Sequence, residues 1–334
     1  SSLDAHMKPL ILTGLLIMTS ISTVHAGKTA LVIHGGAGVM SRQSMSAETE
    51  TAYQAALNKA LDAGNAVLQK GGTAREAVIA SILVMEDSPL FNAGKGAVFN
   101  AEGGHELDAS IMEGHTSKAG AVAGVRTIRN PVLLAEAVME HSPHVMLAGS
   151  GAEHFADTRP EIARVEPAYF DTKHRLKQLR QTQEEERKTA SSDLKGKYFG
   201  TVGAVALDRY GHIAAATSTG GMTNKRWSRI GDSPIIGAGT YANEQCGVSG
   251  TGWGEFFIRA AVAHDICARV KYRGDSISVA AEEVLMRVVP DMGGDGGAIA
   301  LDKDGNISMP FNTEGMYRGW IKPDGSRGVA IFKD

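Results

Sequence analysis

Residues 200–221 constrain the fold more than any other stretch, because they predict a β-hairpin made almost entirely of small residues. Residues 201–208 alternate small and branched side chains, residues 208–211 (Asp-Arg-Tyr-Gly) have the composition of a turn, and residues 213–218 return as a second strand. Strands with such small side chains are typical of a closely packed core. We therefore expect the rest of the chain to be arranged around this hairpin.

The chain changes character immediately before the hairpin. From about residue 159 to residue 200, Lys, Arg, Glu and Gln dominate, which predicts a mobile linker, in part helical, that buries little surface. A core strand then begins abruptly at the Gly200–Thr201 bond. Cleavage of this bond would give Thr201 a free α-amine with a reference pKa of roughly 7.7–8.0, so that one residue would supply nucleophile and base. The alternative is an ordinary strand that starts at this bond.

Other motifs occur in order on both sides of the linker. They are His-Gly-Gly-Ala-Gly at residues 34–38, Pro-Leu-Phe-Asn-Ala-Gly-Lys-Gly at 89–96, His-Glu-Leu-Asp-Ala at 105–109, Ala-Thr-Ser-Thr-Gly-Gly-Met-Thr-Asn-Lys at 216–225, Arg-Ile-Gly-Asp-Ser-Pro at 229–234, Thr-Gly-Trp-Gly-Glu at 251–255 and Pro-Phe-Asn-Thr-Glu-Gly-Met-Tyr at 310–317. Together they resemble the plant-type asparaginase and isoaspartyl peptidase family, whose members are N-terminal nucleophile hydrolases. The resemblance covers nearly all of the chain after residue 26.

The resemblance implies an α+β fold with four layers, an αββα sandwich. Residues 27–200 would form an α subunit that includes the linker, and residues 201–334 a β subunit that begins at the nucleophile; both would share one fold. A doubly wound parallel α/β sheet is the alternative. Apolar spacing and capping residues such as Thr73 and Asp275 predict helices at residues 46–68, 73–85, 131–140, 252–270 and 276–289.

The resemblance also assigns the catalytic residues. Thr201 would be the nucleophile, and Thr219 would hydrogen-bond it across the hairpin. The region of Thr251 and Gly252 would stabilise the oxyanion that forms during amide cleavage. Substrate would be bound by Thr251 and Gly252 together with four further residues, namely Arg229, Asp232, Gly254 and Asn92.

The charges of Arg229 and Asp232 match an amino-acid head group. The guanidinium suits an α-carboxylate, and the Asp232 carboxylate suits an α-ammonium. The implied activity is hydrolysis of β-aspartyl (isoaspartyl) dipeptides and L-asparagine, with release of L-aspartate. A glycosylasparaginase-like amidase, a serine hydrolase and a non-catalytic periplasmic amino-acid-binding protein are the alternatives. Trp253 stands where relatives commonly have Thr, which leaves the preferred leaving group open.

No cofactor is expected for the chemistry. The resemblance implies a structural monovalent cation, Na⁺, and a dimer of two processed αβ units. The cation would be held by main-chain carbonyls of Met85, Glu86, Ser88, Phe91, Ala93 and Lys95.

Some polar residues are interpreted as structural. His34 lies in a glycine-rich motif without the other parts of a hydrolase triad, and Asp108 in a core strand needs a hydrogen-bond partner rather than a substrate. His141 and His144 lack further ligands at a spacing that would make a metal site.

The first residues predict export. Residues 7–26 have a positive start, an apolar stretch and a small-residue cleavage site, which indicate a signal peptide and a periplasmic or secreted protein. Residues 1–6 are expected to be an addition before Met7. The net charge of −3 gives no electrostatic support for nucleic acid or an anionic membrane as partner. Cys246 and Cys267 are too few for a disulfide framework, and both a pair and two free thiols remain open.

Overall fold

The computed structural model describes residues 27–189 and 200–333. The predicted signal peptide, residues 7–26, and the end of the predicted linker lie outside these ranges. None of the helices within them combines the length and apolar character that a membrane crossing requires.

The predicted hairpin forms the middle of the larger of two sheets. Its strands are β5 (Val202–Leu207) and β6 (Ile213–Thr219), which pair antiparallel. Strand β1 (Ala30–Gly38) flanks β5, and β2 (Leu107–Glu113) flanks β6. The hairpin is therefore paired along both edges, in agreement with its small side chains.

The remaining strands complete two sheets. They are β3 (Ala119–Val125), β4 (Met146–Ala148), β7 (Thr240–Ala242), β8 (Cys246–Gly252), β9 (Gly296–Asp302), β10 (Ile307–Ser308), β11 (Gly315–Ile321) and β12 (Arg327–Phe332). The larger sheet has the order β12-β11-β1-β5-β6-β2-β3-β4, and the smaller has the order β10-β9-β8-β7. Between the described strands the ladders are antiparallel except for β3 with β4, so the alternative of a doubly wound parallel sheet is wrong.

Helices cover both outer faces. They are α1 (Ala47–Gln69), α2 (Ala74–Glu86), α3 (Pro131–His141), α4 (Gly149–Asp157), α5 (Lys173–Thr189), α6 (Gly254–Arg259), α7 (Val262–Arg273), α8 (Ile277–Glu283) and α9 (Val289–Asp291), with a π-helical turn at Val284–Val288 between the last two. Short 3₁₀ turns occur at Gly94–Gly96 and Pro167–Phe170.

In the part of the chain that the structure describes, three apolar cores separate four layers. Helices α1 to α3 pack on the larger sheet, where Leu61 shares a core with Ile33. Helices α7 and α8 pack on the smaller sheet, where Ile266 shares a core with Val248. The third core lies between the two sheets and contains side chains of β1, β5 and β9. The predicted α+β fold, an αββα sandwich, is confirmed.

The predicted linker carries more structure than its composition indicates. Its residues 173–189 form α5, and Phe170 before this helix is fully buried. Arg175 is only 4% exposed, and its Nε donates to the Gly96 carbonyl over 2.8 Å. Leu179 of α5 is also buried, so a segment with few apolar residues still docks against the rest of the fold.

The carboxyl-terminal helices also differ from prediction. The helix expected at residues 252–270 is broken into α6 and α7 at Ala261, whose φ of 49° is left-handed. The next helix is capped by Ser276 instead of Asp275, because the Ser276 hydroxyl accepts from the Val279 amide over 3.2 Å. Cys246 of β8 and Cys267 of α7 form a disulfide, which answers the question that the sequence leaves open.

Candidate active site

The hairpin register brings the two predicted catalytic threonines together. Val202 pairs with Ser218, so Thr201 and Thr219 face each other at the open end of the hairpin. The Thr201 hydroxyl donates to Thr219 Oγ1 over 2.9 Å, and the Gly221 amide donates to the same oxygen over 3.0 Å. Thr219 is therefore fixed by the backbone and in turn orients the Thr201 hydroxyl.

The Gly200–Thr201 bond is held by its surroundings. Gly200 has a left-handed φ of 53°, and its carbonyl accepts from the backbone amide of Asn92 over 3.0 Å. Gly36 of β1 packs directly on this bond, since a Cβ on Gly36 would lie 1.9 Å from the Gly200 Cα. The glycine-rich motif at residues 34–38 therefore allows the backbone to approach the candidate cleavage site closely.

Asn92 lies behind the cleft as well as beside the bond. Its side-chain amide donates to the Gly221 carbonyl over 2.7 Å and accepts from the Val98 amide over 3.0 Å. With both ends of the side chain bound to backbone, Asn92 is placed to hold the loops of the site rather than to reach a substrate.

His34 is fully buried, and its Nε2 lies 2.9 Å from Ser249 Oγ. Burial lowers the pKa of His34 to about 3, so the imidazole is neutral near neutral pH. Its partner Ser249 continues into a chain of hydroxyls, because Thr217 Oγ1 lies 2.7 Å from Ser249 Oγ and accepts from Thr240 over 2.6 Å. This network joins the two sheets beneath the cleft, which fits the structural interpretation of His34.

Thr251 and Gly252 end strand β8 at the cleft. Thr251 Oγ1 accepts from the Ala37 amide over 3.1 Å, so its hydroxyl hydrogen remains available to donate. Gly252 has a φ of 144°, and a Cβ there would lie 2.5 Å from the Asp295 carbonyl oxygen. Only a glycine therefore fits at this corner of the site.

Asp232 is buried in the cleft wall. Burial raises the pKa of Asp232 to about 6, and the positive charge of Arg229 opposes this shift. Its Oδ2 has no hydrogen-bond partner among the residues that the structure describes. A buried carboxylate oxygen without a partner is costly, and it is well placed to accept from a cationic ligand.

Arg229 lies beside Asp232 and pairs with Glu255 of α6. Its Nε donates to Glu255 Oε2 over 3.2 Å, and its terminal nitrogen Nη2 donates to Glu255 Oε1. Gly254 packs against both charged residues, since a Cβ on Gly254 would lie 2.8 Å from Asp232 Oδ1 and 2.9 Å from an Arg229 nitrogen. Glu255 belongs to the Gly-Glu motif, but its pairing with Arg229 cannot be read from the sequence.

One cleft collects most of the predicted residues. Gly254 and Asn92 lie just behind its walls. Four further lining residues belong to the motifs at residues 216–225 and 229–234 but are not predicted as site residues, namely Gly221, Met222, Gly231 and Ser233. The predicted residues that line it are Gly200, Thr201, Thr219, Arg229, Asp232, Thr251 and Gly252.

The loop predicted to hold a cation curls around a glycine turn. A Cβ on Gly94 would lie 2.3 Å from the Glu86 carbonyl oxygen, and one on Gly96 would lie 2.1 Å from the Phe91 carbonyl oxygen. Two of the six predicted carbonyls, those of Glu86 and Phe91, therefore lie against glycines of the same turn. Within the described ranges, no group of three or more His, Cys, Asp or Glu side chains could hold a metal ion.

Thr201 follows a glycine with a left-handed φ, has a hydroxyl partner and is surrounded by hydrogen-bond donors. In an αββα sandwich, this is the arrangement found in N-terminal nucleophile hydrolases. A family model described as Asparaginase matches residues 27–331. An isoaspartyl peptidase of Escherichia coli strain K12 is 52% identical over 314 residues, which make up 92% of this chain and 97% of that protein.

Two relatives from distant organisms also match most of the chain. A plant-type L-asparaginase of Pyrobaculum calidifontis is 41% identical over 300 residues, 88% of this chain and 97% of that protein. An isoaspartyl peptidase/L-asparaginase of Mus musculus is 41% identical over 293 residues, 87% of each chain. The chain therefore belongs to the plant-type asparaginase and isoaspartyl peptidase family.

Proposed function

We propose that the chain is a threonine amidohydrolase that cuts its own Gly200–Thr201 bond and then hydrolyses β-aspartyl dipeptides and L-asparagine, releasing L-aspartate. The observation that carries the proposal is the convergence of the Thr201 hydroxyl, its partner Thr219 and the charged Arg229 and Asp232 in one cleft. The names of the relatives support this choice of substrates. A binding protein for amino acids would use the charges but not the threonines.

Self-cleavage uses groups that already surround the bond. Thr201 Oγ attacks the Gly200 carbonyl carbon. The backbone amide of Asn92, 3.0 Å from the carbonyl oxygen, stabilises the developing negative charge. The C–N bond then breaks, and the Thr201 nitrogen takes the proton that the hydroxyl loses. Water hydrolyses the resulting ester, which leaves a carboxylate on Gly200 and a free hydroxyl and amine on Thr201.

Turnover repeats this chemistry on a substrate. The free amine of Thr201 takes the proton of its own hydroxyl, directly or through a water, as the oxygen attacks the β-carbonyl. Thr251 and Gly252 would stabilise the oxyanion, and loss of one such donor costs about 2.7–4 kcal/mol in the transition state. The leaving amine departs with the proton, and water releases L-aspartate from the acyl-enzyme.

Substrate choice follows from the head group. β-Aspartyl dipeptides and L-asparagine both present a free α-carboxylate and α-ammonium beside the scissile amide. These charges match Arg229 and Asp232 Oδ2, an oxygen without a hydrogen-bond partner among the described residues. An α-linked aspartyl peptide has no free α-carboxylate, so the Arg229 guanidinium would lose its anion. Trp253 occupies the N-cap position of α6, next to Gly252 of the cleft, and we propose that it affects the choice of leaving residue.

Sodium at the residue 85–95 loop is part of the proposal. The carbonyls of Met85, Glu86, Ser88, Phe91, Ala93 and Lys95 would hold it. The ion would stiffen the loop that presents the Asn92 amide, and the bond-breaking chemistry would not need it.

We also propose where the protein is located and how it assembles. The Cys246–Cys267 disulfide is typical of proteins in oxidising compartments, which supports a periplasmic or secreted protein with residues 7–26 as signal peptide. We also propose that two processed αβ units form a dimer, by analogy with the family alone.

Comparison of kcat/KM for β-Asp-Leu, L-asparagine and α-Asp-Leu tests the substrate proposal. We expect β-Asp-Leu to be preferred, L-asparagine to be hydrolysed and α-Asp-Leu to be refused. Efficient hydrolysis of α-Asp-Leu would overturn the argument from the head group. Faster hydrolysis of L-asparagine would overturn only the ranking of the two substrates.

A further inference from the structure

Glu255 occupies one edge of the arginine that is proposed to bind the substrate. Two nitrogens of Arg229, Nε and Nη2, donate to the two carboxylate oxygens of Glu255, with 3.2 Å between Nε and Oε2. The Arg229 and Glu255 side chains are 19% and 37% exposed, so water screens the pair only in part. Such a two-point contact fixes the plane of the guanidinium as well as its position.

Two glycines confine the same guanidinium. A Cβ on Gly231 would lie 2.9 Å from Nη1 of Arg229, and a Cβ on Gly254 would lie 2.9 Å from Nη2. The arginine thus lies against backbone at both terminal nitrogens, with Glu255 on the Nε and Nη2 edge. Arg229 lines the cleft, and none of the described residues accepts a hydrogen bond from its Nη1.

We propose that Glu255 is a positioning residue, which orients Arg229 so that its free edge receives the α-carboxylate of the substrate. The inference rests on the proposed function, because it needs Arg229 to bind that carboxylate. Without Glu255 the guanidinium would rotate between several positions, and the substrate would have to order it on binding. Glu255 would also occupy the Nε and Nη2 edge of the guanidinium. The α-carboxylate of the substrate would then bind in one orientation, which directs the β-carbonyl of the substrate toward Thr201.

Kinetics of Glu255→Ala and Glu255→Gln test this inference. We expect Glu255→Ala to raise KM for β-Asp-Leu about tenfold or more, the scale of a lost hydrogen bond to a charged group, with a much smaller change in kcat. Glu255→Gln keeps one acceptor and the shape of the side chain, so its KM should lie between those of wild type and Glu255→Ala. Wild-type KM in both variants would overturn the inference.

A matched control is available outside the site. Glu283 pairs with Arg287 on an exposed helical surface, with their side chains 39% and 56% exposed. Glu283→Ala removes the same kind of ion pair and should leave KM and kcat unchanged. An equal rise of KM in the control would show that loss of any such pair has this effect, and would also overturn the inference.

A double-mutant cycle shows whether Glu255 acts through Arg229. In an Arg229→Ala background, Glu255→Ala should cause no further rise in KM, because nothing remains to be oriented. A full additional rise would overturn the inference. Failure of the proposed function would look different, since the wild-type protein would then remain uncleaved on a denaturing gel or would not hydrolyse β-Asp-Leu.

Discussion

Among single residues, Thr219 separates catalysis from folding most cleanly. Its Oγ1 accepts from Thr201 over 2.9 Å, while its backbone stays in a strand paired on both sides. Thr219→Ala should therefore lower kcat on the order of a hundredfold, the lower end of what a positioned proton-transfer partner contributes, with the fold intact and a melting temperature lowered only by the loss of the acceptor for the Gly221 amide. Thr219→Ser keeps the hydroxyl and should recover part of the rate. Wild-type turnover by Thr219→Ala would return this residue to a purely structural role.

Arg229 is the second side chain with a separable role. Arg229→Ala should raise KM steeply for both β-Asp-Leu and L-asparagine, because the α-carboxylate loses its partner. Self-cleavage should continue, since the precursor bond brings its own carbonyl to Thr201. Steady-state kinetics and a denaturing gel give the two readouts, and loss of self-cleavage in this variant would contradict the separation of roles.

Asp232 gives a pH dependence with a definite sign. Its pKa is raised to about 6 by burial, and it must be ionised to bind an α-ammonium. As pH falls through about 6, the carboxyl gains a proton, so kcat/KM should fall. The bound ammonium favours the ionised form, so kcat should hold to lower pH than kcat/KM. A kcat/KM for β-Asp-Leu that stays constant from pH 7 down to about 5 would contradict this role.

At the level of elements, strand β1 packs directly against the cleavage site. Gly36 has a φ of 109°, and a Cβ there would overlap the Gly200 Cα at 1.9 Å. Gly36→Ala should therefore abolish or strongly slow self-cleavage, measured as the fraction of cleaved chain on a denaturing gel. Gly151→Ala is the matched control, because Gly151 lies in helix α4 and a Cβ added there would meet no heavy atom within 4 Å. Equal cleavage in both variants would contradict the importance of this contact.

The disulfide joins strand β8 to helix α7 across 21 residues of sequence. A crosslink that closes a loop of this length stabilises by about 3 kcal/mol in the chain-entropy description. Reduction should therefore lower the free energy of unfolding by roughly that amount. Denaturant titrations with and without reductant measure the difference, and coincident curves would contradict it.

The hairpin and helices α1 to α3 can be predicted because local patterns specify them, whereas the four layers are implied by the family resemblance. Strand β11 cannot, because Gly315–Ile321 shows no clear alternation and is fixed by pairing with β1 and β12. The docking of α5 is unpredictable for a related reason, since buried Arg175 bonds to the carbonyl of a loop residue 79 positions away in sequence. Glu255 lies within one of the sequence motifs, yet its contact with Arg229 depends on the turn between β8 and α6.

For the whole molecule, the sheet order explains how one fold would survive cleavage. Strands β1 to β4 precede the Gly200–Thr201 bond and β5 to β12 follow it, and the larger sheet interleaves the two sets as β12-β11-β1-β5-β6-β2-β3-β4. Separation of the fragments would break the ladders of β1 with β5 and β11 and of β2 with β6. The two fragments should therefore co-elute in native size-exclusion chromatography and unfold in one transition. Free β subunit in a separate peak would contradict this expectation.

Self-cleavage at Gly200–Thr201 is the central claim, and mass spectrometry of the purified protein tests it most directly. We predict a smaller fragment that begins at Thr201 in the wild-type protein. We also predict a single inactive chain for Thr201→Ala, and slower cleavage and turnover for Thr201→Ser, which keeps the hydroxyl. An intact wild-type chain with full hydrolytic activity would contradict this claim.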